Sequence, residues 1–148
     1  MTEAPLHLLH HVCIVVHDLD KTQAFYERLG IGPWHDYPPL TEYTDLAVPN
    51  HAAFLKMRYR YVDLGNIQIQ LCQPPEAPSP QRAFLDSKGE GVFQLGFAPP
   101  DIQDAETELK AAGLDVLMRG RRSDGSGFTY FNTVEKAGVH LLIRQASR

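Results

Sequence analysis

Three polar residues of this 148-residue chain stand in short β-rich segments, where their side chains could bind an oxygen atom of a small molecule. His11 opens one such segment, Gln70 lies in a segment that alternates polar and apolar residues, and Gln94 lies in a third. Imidazole and amide groups donate and accept hydrogen bonds, and an imidazole can also transfer protons or bind a metal ion. The question is then which elements position these three residues.

An internal repeat relates His11 to Gln94. When the sequence is shifted against itself by 83 positions, each copy consists of a β-rich segment, a turn with an aspartate, and an amphipathic helix that ends before a glycine. The aspartate is expected to cap the helix, with Asp20 as an alternative cap in the first copy. The matched residues are His11 with Gln94, Asp18 with Asp101, Leu19 with Ile102, and Gly30 with Gly113.

The last strand of each copy corresponds at a shift of 72 positions, which relates Gln70 to Leu142. Residues 66–73 and 138–145 both alternate as half-buried strands, with apolar residues facing a core. His11, Gln70 and Gln94 alternate away from that core, which predicts that they line a polar cleft. The alternative for His11 is an ordinary strand histidine that is hydrogen-bonded to a neighbour.

Each copy therefore has the order βαβββ, which predicts an α+β fold of two paired repeats that form a curved, open, barrel-like mixed sheet with a central cleft. We expect one domain over residues 1–148. Repeat one covers about 6–74, a proline-rich connector covers 74–80, and repeat two covers about 89–146. The remaining elements are expected to be a loop over 32–50, a strand over 54–64, a short helix over 81–87, strands over 115–118 and 128–132, and a loop over 119–127.

The repeat plan resembles the vicinal oxygen chelate superfamily, which includes glyoxalase I, bleomycin-resistance proteins and extradiol dioxygenases. The resemblance runs from about His10 to Gln145 and is strongest to the methylmalonyl-CoA epimerase branch. Its motifs are His11-Val12, Leu64-Gly65-Asn66 before Ile69-Gln70-Leu71, Ser79-Pro80 with Ala83-Phe84-Leu85, Lys88-Gly89-Glu90-Gly91, and Gly138-Val139.

The resemblance implies a divalent metal ion that is bound by one residue from each of four strands. By motif these positions are His11, Gln70, Gln94 and Leu142. The epimerases have histidine at the third position and glutamate at the fourth, so two ligand positions are substituted. His11, Gln70 and Gln94 remain the predicted metal ligands, although they include no carboxylate to offset the dehydration of a hard cation. No organic cofactor is expected.

Other side chains could complete such a site. His140 precedes Leu142 by two residues on the same strand face and could supply a second imidazole. Cys13 and Cys72 could supply thiolates, although small buried residues are the more ordinary interpretation.

Proton transfer beside a carbonyl requires a base, and the resemblance places one family base within residues 52–60, where this chain has no glutamate. If Gly65-Asn66 forms a two-residue hairpin loop, Tyr61 faces Gln70 and Tyr59 faces Cys72. A slip of one residue would instead turn two arginines inward. His11, Tyr61 and His140 are therefore the catalytic candidates, and Gln70, Gln94, Tyr59 and Leu142 are the candidates for substrate contact.

Two loop features have alternative interpretations. Arg121 lies in a basic, glycine-rich segment that could receive a substrate carboxylate at the cleft mouth or could simply be a solvated loop. Trp34, Tyr37 and Tyr43 could form a lid on an aromatic pocket or cover the open end of the first sheet.

The formal net charge of −4 disfavours a nucleic-acid partner, which needs a basic surface. No apolar run approaches the roughly 20 residues of a membrane span, and no signal peptide is recognisable, so we expect a cytoplasmic protein without a membrane partner. A homodimer is expected as the default assembly.

The sequence thus favours a small-molecule enzyme of the glyoxalase or epimerase type, an isomerase or lyase, that acts on a carbonyl- or carboxylate-bearing substrate. The alternative is a metal-free ligand-binding or resistance protein that sequesters its ligand in the same cleft. A scaffold without a ligand would leave the three polar residues without a purpose.

Overall fold

The structure, a computed structural model, describes residues 4–147, and their contacts group them into two units. The N-unit comprises His11–Leu40 and Asn50–Phe93, and the C-unit comprises residues 4–10, Thr41–Pro49 and residues 94–147.

The described chain contains five α-helices, nine strands and a 3-10 turn at Leu40–Glu42. In chain order the helices and strands are β1 (Leu9–Val15), α1 (Leu19–Arg28), β2 (His35–Asp36), β3 (Asp45–Ala47), α2 (His51–Leu55), β4 (Arg58–Asp63), β5 (Gln68–Gln73), α3 (Pro80–Lys88), β6 (Gly91–Phe97), α4 (Ile102–Ala111), β7 (Val116–Arg121), β8 (Gly127–Phe131), α5 (Val134–Ala137) and β9 (His140–Gln145).

The strands of the N-unit follow the order β2-β4-β5-β1, in which β1 runs parallel to β5 and the other neighbours are antiparallel. Leu19 of α1 is buried against Val16 and Leu71, and Trp34 packs at the edge of this cluster. Burial of these side chains holds α1 on one face of the sheet and leaves the other face for polar residues.

The C-unit has the order β6-β9-β8-β7-β3, in which β6 runs parallel to β9. Helix α4 buries Ile102, Ala105 and Leu109 against Phe131 and Ile143. These three helical positions recur at spacings of three and four, as the amphipathic pattern predicted.

The internal repeat is visible as a shared strand order, β1-β5-β4-β2 in the N-unit and β6-β9-β8-β7 in the C-unit, to which β3 is added at the edge of β7. His11 pairs with Gln68 in the parallel β1–β5 ladder, and Gln94 pairs with His140 in the parallel β6–β9 ladder. Shifts of 83 and 72 positions relate these two pairs. The predicted α+β class with two βαβββ repeats is confirmed, while the single domain and the repeat boundaries stay predictions.

The helix ends follow the predicted signals. The Asp18 carboxylate accepts a hydrogen bond from the Lys21 N–H at 3.1 Å at the start of α1, and Asp101 caps α4 in the same way. Gly30 and Gly113 follow the two helices with φ of +83° and +99°. A side chain with a Cβ is strained in this left-handed region.

Two element predictions are wrong. The predicted strand over 54–64 begins only at Arg58, because Asn50 caps helix α2 by accepting from the Ala53 N–H at 3.1 Å. The predicted loop over 119–127 shrinks to residues 122–126, because β7 extends to Arg121, which pairs with Gly127 of β8 and with Asp45 of β3. Residues 32–50 are mostly loop, as predicted, and also contain two short strands, of which β3 pairs with the outer edge of β7.

Within residues 4–147, no helix is long and apolar enough to cross a bilayer.

Candidate functional site

The candidate site residues of the N-unit lie on the face of its sheet that is opposite α1. Leu71 of β5 packs against α1. Because successive side chains of a strand point to opposite faces of the sheet, the adjacent Gln70 points to the other face. Tyr61 of β4 lies opposite Gln70, and His11 of β1 lies beside Gln68. We call this set the polar face, and its members are His11, Tyr59, Tyr61, Gln68 and Gln70.

The β4–β5 hairpin fixes the register of the polar face. The Leu64 N–H donates to the Ile67 carbonyl at 2.9 Å, which leaves Gly65 and Asn66 as the two-residue loop. Gly65 has a φ of +90°, a value that this turn needs and that glycine adopts without strain. Both predicted cross-strand pairs are confirmed, and they are Tyr61 with Gln70 and Tyr59 with Cys72.

Hydrogen bonds orient the amides of the polar face. Gln70 is 3% exposed, and its Nε2 donates to the Gln68 Oε1 at 2.8 Å. Gln68 in turn donates to the Asp63 carboxylate at 3.2 Å. Because its Nε2 is engaged in this chain, Gln70 directs its carbonyl oxygen away from Gln68. His11 is 2% exposed, so both side chains lie in a desolvated environment, where a polar contact with a ligand is strong.

Aromatic rings continue the polar face along β4. The Tyr61 ring lies 5.4 Å from the His35 ring, and the Tyr37 ring lies 5.4 Å from Tyr59 and 6.2 Å from Tyr61. Trp34 instead packs against Tyr26 on the α1 side. Trp34 and Tyr37 therefore do not form the single aromatic lid that was one of the sequence interpretations.

Cys13 and Cys72 are buried on the same face of the sheet. Burial raises the pKa of Cys72 to about 12, against a smaller lowering by a hydrogen bond with Tyr59. Burial and the proximity of Cys72 also raise the pKa of Cys13 well above its usual value. Both groups are therefore thiols at neutral pH, which favours their interpretation as small buried residues over a thiolate metal site.

The C-unit holds the remaining candidates on β6 and β9. Gln94 is 1% exposed and pairs in register with His140, which is buried, and Leu142 follows on the same face, opposite Tyr130. The imidazole and the amide are therefore neighbours, as expected for cross-strand partners about 5 Å apart. Leu142 contributes only an apolar surface.

The structure corrects the placement of Arg121, which lies in β7 and not in a mobile loop. Its guanidinium donates to the Phe128 carbonyl at 2.6 Å and to the Thr129 hydroxyl at 2.9 Å, and it lies 3.3 Å from the Glu106 carboxylate. Arg119 also donates to Glu106, at 2.9 Å. These contacts join α4 to its sheet and engage Arg121 in the interior of the C-unit.

The four positions that the resemblance assigns to a metal do not fit a tightly held divalent ion. They offer one imidazole and two neutral amides, and Leu142 offers no donor atom. Hard divalent ions are normally bound with at least one carboxylate. Nowhere in the described part of the chain do three or more histidine, cysteine, aspartate or glutamate side chains group as metal ligands.

Sequence reasoning missed two glutamines of the N-unit. Gln68 orients Gln70, and the repeat signal could have found it, since the shift of 72 positions makes it the equivalent of His140. Gln81 of α3 is 1% exposed and donates to the Tyr59 hydroxyl at 3.5 Å. No sequence pattern predicts the contact of Gln81 with β4, because this contact depends on how α3 packs.

Comparison with known proteins gives consistent matches. The family model of the Glyoxalase/Bleomycin resistance protein/Dioxygenase superfamily matches residues 10–131. Mitochondrial methylmalonyl-CoA epimerase of Bos taurus is 26% identical over 142 residues, which are 93% of this chain and 74% of that protein.

Solved structures are also similar. Methylmalonyl-CoA epimerase from Mycobacterium tuberculosis superposes with a TM-score of 0.74 at 22% identity, over 100% of this chain and 93% of that one. A variant of the Streptomyces coelicolor epimerase in complex with 2-nitronate-propionyl-CoA gives a TM-score of 0.70 at 26% identity, over 93% of both chains.

Proposed function

Because the chain belongs to the Glyoxalase/Bleomycin resistance protein/Dioxygenase superfamily, we propose that it is an isomerase or lyase that moves a proton next to the carbonyl group of a small substrate. The observation that carries the proposal is the register of β4, β5 and β1, which places Tyr61 opposite Gln70 on the face that also holds His11. Similarity to epimerases at 26% identity supports an enzyme of the isomerase type.

In this proposal the buried residues of the polar face bind the substrate oxygen. An imidazole N–H of His11 stabilises the negative charge that develops on the carbonyl oxygen when a proton leaves the adjacent carbon. Gln70 accepts a hydrogen bond from a substrate hydroxyl or protonated carboxyl group, since its Nε2 already donates to Gln68. Burial of both side chains strengthens these contacts.

We assign the transfer of this proton to Tyr61 or, as an alternative, to His140. Tyr61 lies on the neighbouring strand to Gln70, within the reach of a substrate that Gln70 orients. The alternative places proton transfer within the C-unit, where His140 supplies an imidazole, the group most often used for proton transfer near neutral pH, beside its in-register partner Gln94. Tyr59 is assigned to contact the rest of a substrate held at Tyr61, and Leu142 the rest of one held at His140.

Methylmalonyl-CoA is not the substrate that we propose. In the epimerases that this chain resembles, glutamates occupy the fourth ligand position and a position in the region of residues 52–60, and this chain has Leu142 and no glutamate there. The chain therefore lacks the carboxylates that would remove and return a proton beside that thioester. A more acidic carbon, as in a 2-oxo acid or a hydroxy aldehyde, places a smaller demand on the base.

The second candidate function is ligand binding without turnover. Leu142 favours it, because an apolar residue at a position that the resemblance assigns to a metal ligand supplies no donor atom and no base. In that case His11 and Gln70 orient a ligand, and Tyr61 transfers no proton.

Deuterium exchange distinguishes the two functions. The purified protein is incubated in heavy water with a chelator and, separately, a 2-oxo acid, a hydroxy aldehyde or methylmalonyl-CoA, and exchange at the carbon next to the carbonyl is followed by NMR. The proposal expects exchange with one of the first two and none with methylmalonyl-CoA. No exchange with any of them, together with a ligand-dependent rise in melting temperature, would favour the binding protein.

A further inference from the structure

A cavity of about 260 Å³ lies at the outer edge of β4, beyond the point where β2 ends. Strand β2 pairs only with Arg60 and Tyr61, so the preceding part of β4 borders the cavity. We call it the edge pocket, and the residues that matter here are Pro38, Pro39, Leu55, Met57, Arg58 and Arg60. Its volume is close to the lower end of the range for small-molecule sites, about 300 Å³.

One wall of the edge pocket is apolar. Pro38 and Pro39 have restricted backbones, and Met57 is buried directly before β4. This wall therefore loses little conformational entropy when a ligand binds. Leu55 is 46% exposed at the end of α2 and is one of the large apolar side chains that solvent reaches. This wall fits a short alkyl or aromatic group.

The other wall carries two guanidinium groups whose partners lie at the surface. Arg58 Nη2 lies 3.3 Å from the Asp20 carboxylate, and Arg60 contacts two carboxylates, Asp36 through Nε at 2.6 Å and Asp20 through Nη1 at 3.4 Å. Asp36 itself lines the pocket. The side chains of Asp20 and Asp36 are 66% and 85% exposed. Such exposed ion pairs are weak, so an incoming anion can replace these carboxylates at little cost.

Arg60 is already ordered for this role. Its Nη1 donates to the Gln23 side chain at 2.7 Å, and its side chain is only 24% exposed. The planar guanidinium fork matches the two oxygens of a carboxylate.

From these observations we infer that the edge pocket binds a monocarboxylate with a short apolar chain, the carboxylate on Arg60 and Arg58 and the chain on the proline and Leu55 wall. This site goes beyond the function proposed above: the six residues lie outside the polar face, and Tyr59 is the one member of the polar face among the residues that line the pocket. Tyr37, which also lines the pocket, packs on both tyrosines of the polar face, so a bound ligand would contact a residue next to Tyr61.

Calorimetric titration with octanoate, octanol and acetate tests the inference on the full chain. Octanoate carries both features, octanol lacks the carboxylate, and acetate lacks the apolar chain. We expect octanoate to bind one to one and the other two at least tenfold more weakly. Arg60→Gln should weaken octanoate binding at least tenfold, and Arg28→Gln, an exposed arginine at the end of α1, is the matched control.

A second variant keeps the test decisive if Arg60→Gln disturbs the contact between α1 and β4. Leu55→Asp changes an exposed side chain and places a negative charge on the apolar wall, so it should also weaken octanoate at least tenfold. Absence of octanoate binding, equal binding of octanol, or octanoate affinity unchanged in both variants would overturn the inference. None of these outcomes bears on the deuterium-exchange test of the proposed function.

Discussion

At the scale of single residues, the polar face and the interior of the C-unit use charge and hydrogen bonds differently. Gln70 and Gln68 form a chain of neutral amides on the polar face. Glu106 is instead buried between Arg119 and Arg121 and holds α4 on its sheet. The first arrangement can orient a ligand, whereas the second is a structural ion network, which is why we leave Arg121 out of the proposed substrate contacts.

Replacement of Tyr61 tests its proposed role in proton transfer. Tyr61→Phe keeps the ring that packs on His35 and Tyr37 and removes only the hydroxyl. We expect the exchange rate to fall by a factor of about 10² or more, the ordinary contribution of an acid–base group, with an unchanged melting temperature. Tyr26→Phe, on α1, is the control. Full exchange activity in Tyr61→Phe would leave the role to His140.

Replacement of Glu106 tests the ion network through its pH dependence. Burial alone would raise the pKa of Glu106, but hydrogen bonds from Arg119 and Thr129 and the two arginine charges outweigh it, so the pKa is lowered. A lowered pKa stabilises the fold above the pKa of the unfolded chain, and this contribution is lost as the pH falls through the folded-state value.

Glu106→Gln should therefore lower the free energy of unfolding by about 3 kcal/mol at pH 7, because two arginines lose their counter-charge. The difference from the wild type at pH 7 should shrink at an acid pH, below the unfolded-chain pKa of about 4.3 and through the lowered folded-state pKa, where the wild-type carboxylate also becomes protonated. Urea unfolding at pH 7 and at the acid pH measures the difference in unfolding free energy. Glu108→Gln, which changes an exposed residue of the same helix, is the control. A difference that is independent of pH would contradict this account.

At the scale of elements, the sequence predicted those whose signals are local. Asp18, Gly30, Asp101 and Gly113 marked the helices correctly, and the period of two marked β5 and β9. In the candidate site, the pairing of Tyr61 with Gln70 was predicted from the two-residue turn between their strands, and such a turn is also a local signal.

Strand β3 could not be predicted in the same way, because only three residues form it and a distant partner defines it. Asp45 lies 3.3 Å from Arg119, and the Arg122 guanidinium lies 4.7 Å above the Tyr43 ring. These contacts join residues more than 70 positions apart. The edge pocket was also beyond prediction, since it depends on where β2 ends.

The β7–β8 turn gives a matched pair of glycines for a stability test. A Cβ on Gly127, where φ is +149°, would lie in severe overlap with the Gly120 carbonyl oxygen. A Cβ on Gly125, where φ is +86°, would meet nothing within 4 Å. Gly125→Ala should cost about 1 kcal/mol from backbone strain alone.

Gly127→Ala should cost more than ~3 kcal/mol, because backbone atoms of β7 would have to move. Thermal and urea unfolding measure both variants. Similar losses in the two variants would mean that the close approach of β7 and β8 relaxes easily and does not require glycine.

At the scale of the whole molecule, the repeat was the most informative sequence feature, since it relates His11 to Gln94 and Gln70 to Leu142 from the order of residues alone. Residue types could not be inferred from the family in the same way. Two of the four positions that the resemblance assigns to metal ligands differ here, so family membership establishes the fold, similarity to the epimerases supports a small-molecule enzyme, and the substrate stays a proposal. The homodimer and the cytoplasmic location stay predictions.

Chelation tests the whole protein for dependence on a metal. A resident metal couples to folding, so its removal lowers the melting temperature. Since His11, Gln70 and Gln94 supply no carboxylate and Leu142 supplies no donor, we expect less than one equivalent of zinc, nickel, cobalt or manganese in protein purified without a chelator. Its melting temperature and its deuterium exchange should be unchanged by EDTA. Mass spectrometry measures the metal content of the wild type, of His11→Ala and of the exposed control His17→Ala. One equivalent of metal that is present in the wild type and in His17→Ala but absent from His11→Ala would contradict this expectation.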